Sequence, residues 1–138
     1  MSSINKKKIR RYLLDTHAFV WWMDGGISLD RKVADVLSDS EQEVFVSVAS
    51  LWELSIKASI GKIVLPRGIS IAESVQAAGF QLLEIKASHV EKVIGLKQFH
   101  RDPFDHLLVC QAEAEGLVLI THDKIMSKYL AKGRLLMF

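Results

Sequence analysis

Short apolar runs recur along this chain at wide intervals, each followed by a segment of helical character, and that alternation constrains the fold more than any other feature. Tyr12-Leu13-Leu14, Val44-Phe45-Val46, Phe80 to Ile85, Val118-Leu119-Ile120 and Leu135 to Met137 read as strands. The clearest of them, Val118 to Ile120, has no polar residue at all, as expected of a strand buried on both faces. Helices are expected over Thr16 to Met23, from a cap at Ser28 to about Leu37, and over Leu51 to Ser59. Further helices are expected over Ile69 to Ala78, Ser88 to Leu96, Phe104 to Glu115 and Lys124 to Leu130. Asp24-Gly25-Gly26 stops the first helix, Gly61 and Pro66 punctuate an extended piece, and Gly116 ends the helix ahead of Val118. Strands that alternate with helices are joined by right-handed crossovers, which predicts an α/β fold with a mostly parallel sheet covered on both faces.

With 138 residues, 49% of them hydrophobic and 25% charged, and with only 8 Gly and 2 Pro, the chain suits one packed core. That composition excludes a disordered or low-complexity protein. One domain is expected over residues 10–138, preceded by a basic arm at residues 1–9. Lys6, Lys7, Lys8, Arg10 and Arg11 place five cations within six positions, and the remainder carries more acids than bases. Such an arm can attract phosphates through counterion release, but a solvated leader or an edge made soluble by charge is the more ordinary explanation. Mean hydropathy is +0.18, yet no apolar run approaches the roughly 18 residues of a membrane span. No apolar stretch follows the basic start as a secretory leader would require. The single cysteine, Cys110, cannot form an internal disulfide, so a reducing cytoplasm is the expected location.

Four acids stand at strand–helix junctions. Asp15 closes the first strand, Asp123 follows Val118-Leu-Ile-Thr121, Glu53 lies in Ser50-Leu-Trp-Glu53, and Asp105 lies in Asp102-Pro-Phe-Asp105. Each has an ordinary structural explanation. Asp15 and Asp123 suit N-caps, Ser50 to Glu53 a capping box, and Asp102 a cap before Pro103 at the first helical position. In an open parallel sheet, however, strand ends and helix starts share one edge, where ligands bind at the switch in strand order. The four acids meet there if the order reverses beside the first strand. Carboxylates so placed cannot all ionise cheaply without a cation, and oxygen ligands suit Mg²⁺ or Mn²⁺ better than zinc. A dication held in this way promotes attack of water at phosphorus.

Taken in order, Leu13-Leu-Asp15-Thr-His17, Ser47-Val-Ala-Ser50-Leu-Trp-Glu53-Leu-Ser-Ile-Lys57, His100-Arg-Asp102-Pro-Phe-Asp105 and Leu119-Ile-Thr-His-Asp123 span nearly the whole chain. Together these blocks resemble the PIN domain, and within it the VapC-type toxins of bacterial toxin–antitoxin pairs. The resemblance implies a three-layer α/β/α domain with a metal-dependent endoribonuclease site at Asp15, Glu53, Asp105 and Asp123. It also implies an RNA substrate, a homodimer and a cognate antitoxin that blocks the site. In that family the residue after the third acid is often Arg; here it is His106. Asp15 is then the central ligand, Glu53 and Asp105 complete the ion's shell or orient its water, and Asp123 acts on a second ion or through water. Thr16 and Thr121 are candidates to fix carboxylate rotamers, and Lys57 and His106 to contact phosphate.

The other candidate residues carry less chemistry. His17, His89, His100, His106 and His122 show no zinc-ligand spacing, and no glycine-rich phosphate loop is present. Trp21, Trp22 and Trp52 have rings able to stack on bases, but at helical positions beside apolar neighbours they read as packing or interface residues. Lys57 follows Glu53 by one helical turn, the spacing of an ion pair. Three rival readings differ in what they require. A haloacid-dehalogenase-like phosphatase needs a second Asp where His17 stands, and a phospho-receiver needs an Asp where Lys86-Ala87 follow the third strand. A catalytically silent PIN-like binding or scaffold module requires nothing that the intact acid quartet would be kept for. A high apolar content for so small a chain adds to the expectation of a homodimer.

Overall fold

A computed structural model of the chain describes residues 9–26 and 29–138. Five strands form: β1 (Arg11–Leu14), β2 (Glu43–Ser47), β3 (Gln81–Leu83), β4 (Val118–Thr121) and β5 (Leu135–Met137). They make one sheet in the order β3-β2-β1-β4-β5, and every neighbouring pair is parallel. The helices are α1 (Thr16–Met23), α2 (Arg31–Ser38), α3 (Val48–Ser59), α4 (Ile71–Ala77), α5 (Ala87–Lys92) and α6 (Pro103–Glu115). Single 3₁₀ turns cover Val93–Gly95, Lys124–Lys128 and Lys132–Arg134.

Side chains along β1 alternate between two hydrophobic clusters, one on each face of the sheet. Tyr12 and Leu14, with Val44, Val46 and Ile120, pack against Ala18 and Phe19 of α1, Val33 and Leu37 of α2, Leu54 of α3 and Val75 of α4. Leu13, with Phe45 and Leu119, packs against Leu108, Val109 and Ala112 of α6 and against Met126 and Leu130. The layers are therefore helix, sheet, helix, an α/β fold as the alternation predicts. Leu13, Leu14, Leu119 and Ile120 are fully buried, and each such side chain contributes about 1.5–3 kcal/mol. Cys110 belongs to the same buried interior, where burial pushes its thiol up from the ordinary value. Among the described residues no helix is long and apolar enough to cross a membrane.

Several boundaries differ from expectation for local reasons. Helix α3 starts at Val48 instead of Leu51, because Ser47 at the end of β2 is itself the N-cap, its Oγ accepting from the Ala49 N–H at 3.0 Å. Ser50 and Glu53 therefore form no capping box, and Glu53 lies in the second turn. The cap of α2 is Asp30, whose Oδ1 accepts from the Val33 N–H at 3.0 Å; Ser28 lies outside the described residues, as does residues 1–8 of the basic arm. Strand β3 is shorter than Phe80 to Ile85, since the Phe80 N–H turns back to the Val75 carbonyl. The helix expected over Ser88 to Leu96 ends as α at Lys92, and Lys124 to Lys128 is a 3₁₀ turn. Gly116 ends α6 as expected, at φ 68°, a left-handed conformation that costs glycine little.

Candidate active site

Strand order reverses at β1, the central strand, whose neighbours are β2 and β4. The backbone at its C-terminal end is tied across the switch: the Asp15 N–H donates to the Ile120 carbonyl at 3.0 Å. Asp15 caps α1, with Oδ1 accepting from the Ala18 N–H at 2.8 Å, and it is 5% exposed. Burial pushes its carboxyl up from the ordinary value; a hydrogen bond with the Thr121 hydroxyl, the Ala18 N–H and the nearby His122 and His17 hold it back. Thr121 also accepts from the Asp123 N–H at 3.1 Å. The same hydroxyl thus links Asp15 to the backbone of Asp123, which caps the following 3₁₀ turn through Oδ1 and the Ile125 N–H.

Glu53 reaches the same edge from α3. The Thr16 hydroxyl lies 2.7 Å from Glu53 Oε1 and 2.9 Å from Ser50 Oγ. A carboxylate only accepts, so the single proton of Thr16 goes to Glu53, and Ser50 donates to Thr16. Lys57 Nζ stands 2.9 Å from Glu53 Oε2, one helical turn away, so its charge is engaged by the acid.

Asp105, in the first turn of α6, completes the set. Its carboxyl is pushed up to about 7, chiefly by burial, with Asp102 and Asp15 adding like charge and a His100 hydrogen bond opposing them. His100 Nε2 is 3.0 Å from Asp105 Oδ2. His106 is buried, and its Nε2 donates to the His100 carbonyl at 2.7 Å. That placement fits a residue that holds the 100–105 loop better than one that touches phosphate.

The four acids thus come from four segments at one sheet edge. The charge of Asp15 adds to the upward push on Asp105, while the Asp123 backbone joins through Thr121 and Glu53 through Thr16. Among the described residues no group of three or more His, Cys, Asp or Glu side chains is placed to hold a metal ion together. The donors present are oxygens, and the buried Asp15 adds like charge to the half-buried Asp105, a pairing that a hard dication relieves. Mg²⁺ commonly uses one or two carboxylates and keeps water or substrate phosphate for the rest, which this open arrangement fits.

Two features of the site escaped the reading of the residues. One is the network of His100 with Tyr129, whose hydroxyl lies 2.8 Å from His100 Nδ1. The other is a ring cluster beside Asp15, in which His17 and His122 meet edge-on at 5.0 Å and Trp21 lies 4.8 Å from His122. The His and Trp identities were visible in the sequence, but nothing local signals their contacts. A separate groove of about 700 Å³, bordered by Phe19, Met23, Leu54, Val64, Ile69 and Ile71, contains none of the four acids.

A doubly wound parallel sheet with acids at the switch-point edge defines a class of α/β domain. Within that class the model of the PIN domain matches residues 12–131, and the chain belongs to the PIN domain family. No curated protein matches it significantly. The fold is similar to that of a chain in the crystal structure of VapBC2 from Rickettsia felis bound to a DNA fragment from their promoter, with 17% identity and a TM-score of 0.62. That match covers 93% of this chain and 97% of the other. A chain of a toxin–antitoxin complex from Klebsiella pneumoniae is similar at 15% identity and a TM-score of 0.57, covering 91% and 95%.

Proposed function

We propose that this protein is a VapC-type toxin, a cytoplasmic endoribonuclease that hydrolyses RNA phosphodiester bonds with Mg²⁺ or Mn²⁺ and is restrained by a cognate antitoxin. The observation that carries the reading is the convergence of Asp15, Glu53, Asp105 and Asp123 on the switch-point edge of a PIN domain. Asp15, Asp105, Glu53 and Asp123 would hold the ion, with Asp15 central. When bound, the ion supplies a water of lowered pKa and offsets the charge that builds on the phosphoryl oxygens. The chain's own contribution is preorganisation. Thr16 and Lys57 fix both oxygens of Glu53, Thr121 bridges Asp15 to Asp123, and His100 holds one oxygen of Asp105.

The partners follow from the surface. The apolar groove between α1, α3 and α4 suits an apolar segment of an antitoxin. Along α3 and at its C-cap, Trp52 (58% exposed), Ile56 and Ile60 recur every four residues, and a stripe of that kind supports a homodimer. Purified protein is expected to cut single-stranded RNA in Mg²⁺ or Mn²⁺ and to stop in chelator, and Asp15→Asn is expected to be inactive. Equal cleavage by Asp15→Asn, or none by the wild type with either ion on a broad RNA pool, would refute the reading.

A further inference from the structure

Tyr129 lies outside every acidic motif, yet its hydroxyl decides how Asp105 is held. The residue follows the 3₁₀ turn after β4, and its ring packs against Phe99 at 5.1 Å, His100 at 5.4 Å and His106 at 5.9 Å. Its hydroxyl oxygen lies 2.7 Å from the Phe99 backbone nitrogen, 3.2 Å from that of His100 and 2.8 Å from His100 Nδ1. The two backbone groups can only donate, so they occupy the oxygen's lone pairs. One proton then remains, that of the hydroxyl itself, and His100 Nδ1 must accept it. A doubly protonated ring would ask the oxygen to accept three N–H groups and leave its own proton without a partner. An imidazole whose Nδ1 accepts carries its proton on Nε2, and that nitrogen faces Asp105 Oδ2 at 3.0 Å.

The loop is braced from the other side as well. A carbonyl only accepts, so His106 Nε2 is protonated and donates to the His100 carbonyl at 2.7 Å. The relay engages Asp105 Oδ2 and does not involve Oδ1. We propose that Tyr129 and His100 form a positioning relay that locks the neutral Nε2–H tautomer of His100 and, through it, the Asp105 rotamer that offers Oδ1 to the dication. The proposal rests on the reading of Asp105 as a metal ligand. Neither Tyr129 nor His100 touches the reacting atoms; both act through Asp105.

The test uses the full chain, two readouts and four variants. Long-range ¹H–¹⁵N correlation of the imidazoles is expected to show the Nε2–H pattern for His100 in the wild type and a mixture of tautomers in Tyr129→Phe, which keeps the ring packing. Mn²⁺ affinity, followed by the electron paramagnetic resonance of the free ion, is expected to fall about 10- to 100-fold in Tyr129→Phe and in His100→Ala. His100→Gln is expected to remain within about threefold of wild type, because its amide nitrogen can donate to Asp105 while its oxygen takes the Tyr129 proton. A wild-type Nδ1–H pattern, or unchanged Mn²⁺ affinity in both Tyr129→Phe and His100→Ala, would overturn the relay even with Asp105 still a ligand. Unchanged Mn²⁺ affinity in Asp105→Asn would instead remove the ligand role of Asp105, and the relay's purpose with it.

Discussion

Replacing Thr16 by Val keeps the shape of the side chain and deletes one hydroxyl, so it isolates a single node of the site. Glu53 then loses a hydrogen bond to a charged acceptor, now 2.7 Å long, a loss of about 1.5–3 kcal/mol. Ser50, which is fully buried, loses the acceptor of its own proton, a further cost of about 1–3 kcal/mol. Lys57 still pairs with Glu53, but its side chain is 34% exposed, and pairs so placed contribute at most about 1 kcal/mol. The combined loss is about 2.5–6 kcal/mol in a fold of about 5–15 kcal/mol. With a urea slope of about 2 kcal/mol per molar, the midpoint falls by about 1–3 M, which tryptophan fluorescence can follow. Adding Ser50→Ala removes the stranded donor, so the double variant regains part of that loss. Cleavage and Mn²⁺ affinity stay reduced in the double variant, because Glu53 still lacks its Thr16 donor. A Thr16→Val midpoint within about 0.3 M of wild type, or a double variant less stable than the single, would refute the reasoning.

The remaining expectations concern pH and assembly. Asp105 is pushed up to about 7 in the folded chain against an ordinary 3.8, chiefly by burial, so between about pH 4 and pH 7 the folded state holds a proton that the unfolded chain has released. That raised value makes the metal-free protein lose stability as pH rises through the window. Thermal melts in chelator should therefore decline more steeply for the wild type than for Asp105→Asn; parallel profiles would contradict the burial of this acid. Trp52→Asp and Ile56→Asp place charge on the exposed stripe of α3. Sedimentation is expected to show a dimer for the wild type and a monomer for these variants at micromolar concentration, with a wild-type monomer counting against the stripe as an interface.

What could be read from the residues was whatever local chemistry decides. Apolar runs mark strands, Asp15, Asp102 and Asp123 cap the segments that follow them, Gly116 closes α6, and Glu53 with Lys57 forms its one-turn ion pair. The start of α3 was misplaced because β2 passes into the helix through Ser47 with no intervening turn residue to mark the change. Contacts between distant segments had no such signal. Ser47, Gln111 and His89 share a fully buried polar network that reaches Glu115, with Ser47 Oγ 2.6 Å from Gln111 Oε1 and His89 Nε2 2.7 Å from Glu115 Oε2. His89 lies in the helix expected over Ser88 to Leu96, where no local spacing points to Gln111 or Glu115. The bond between Tyr129 and His100 likewise joins residues 29 apart, a separation that no periodicity reveals.

Both margins of the sheet are strands of three residues, Gln81–Leu83 and Leu135–Met137. An incoming chain that docks by strand addition would find at most three residues of backbone on either side, too little template for stable pairing. For a molecule almost half apolar, that brevity restrains edge-to-edge clumping. It also turns a protein partner away from the sheet margins and toward the helical faces, side chain against side chain.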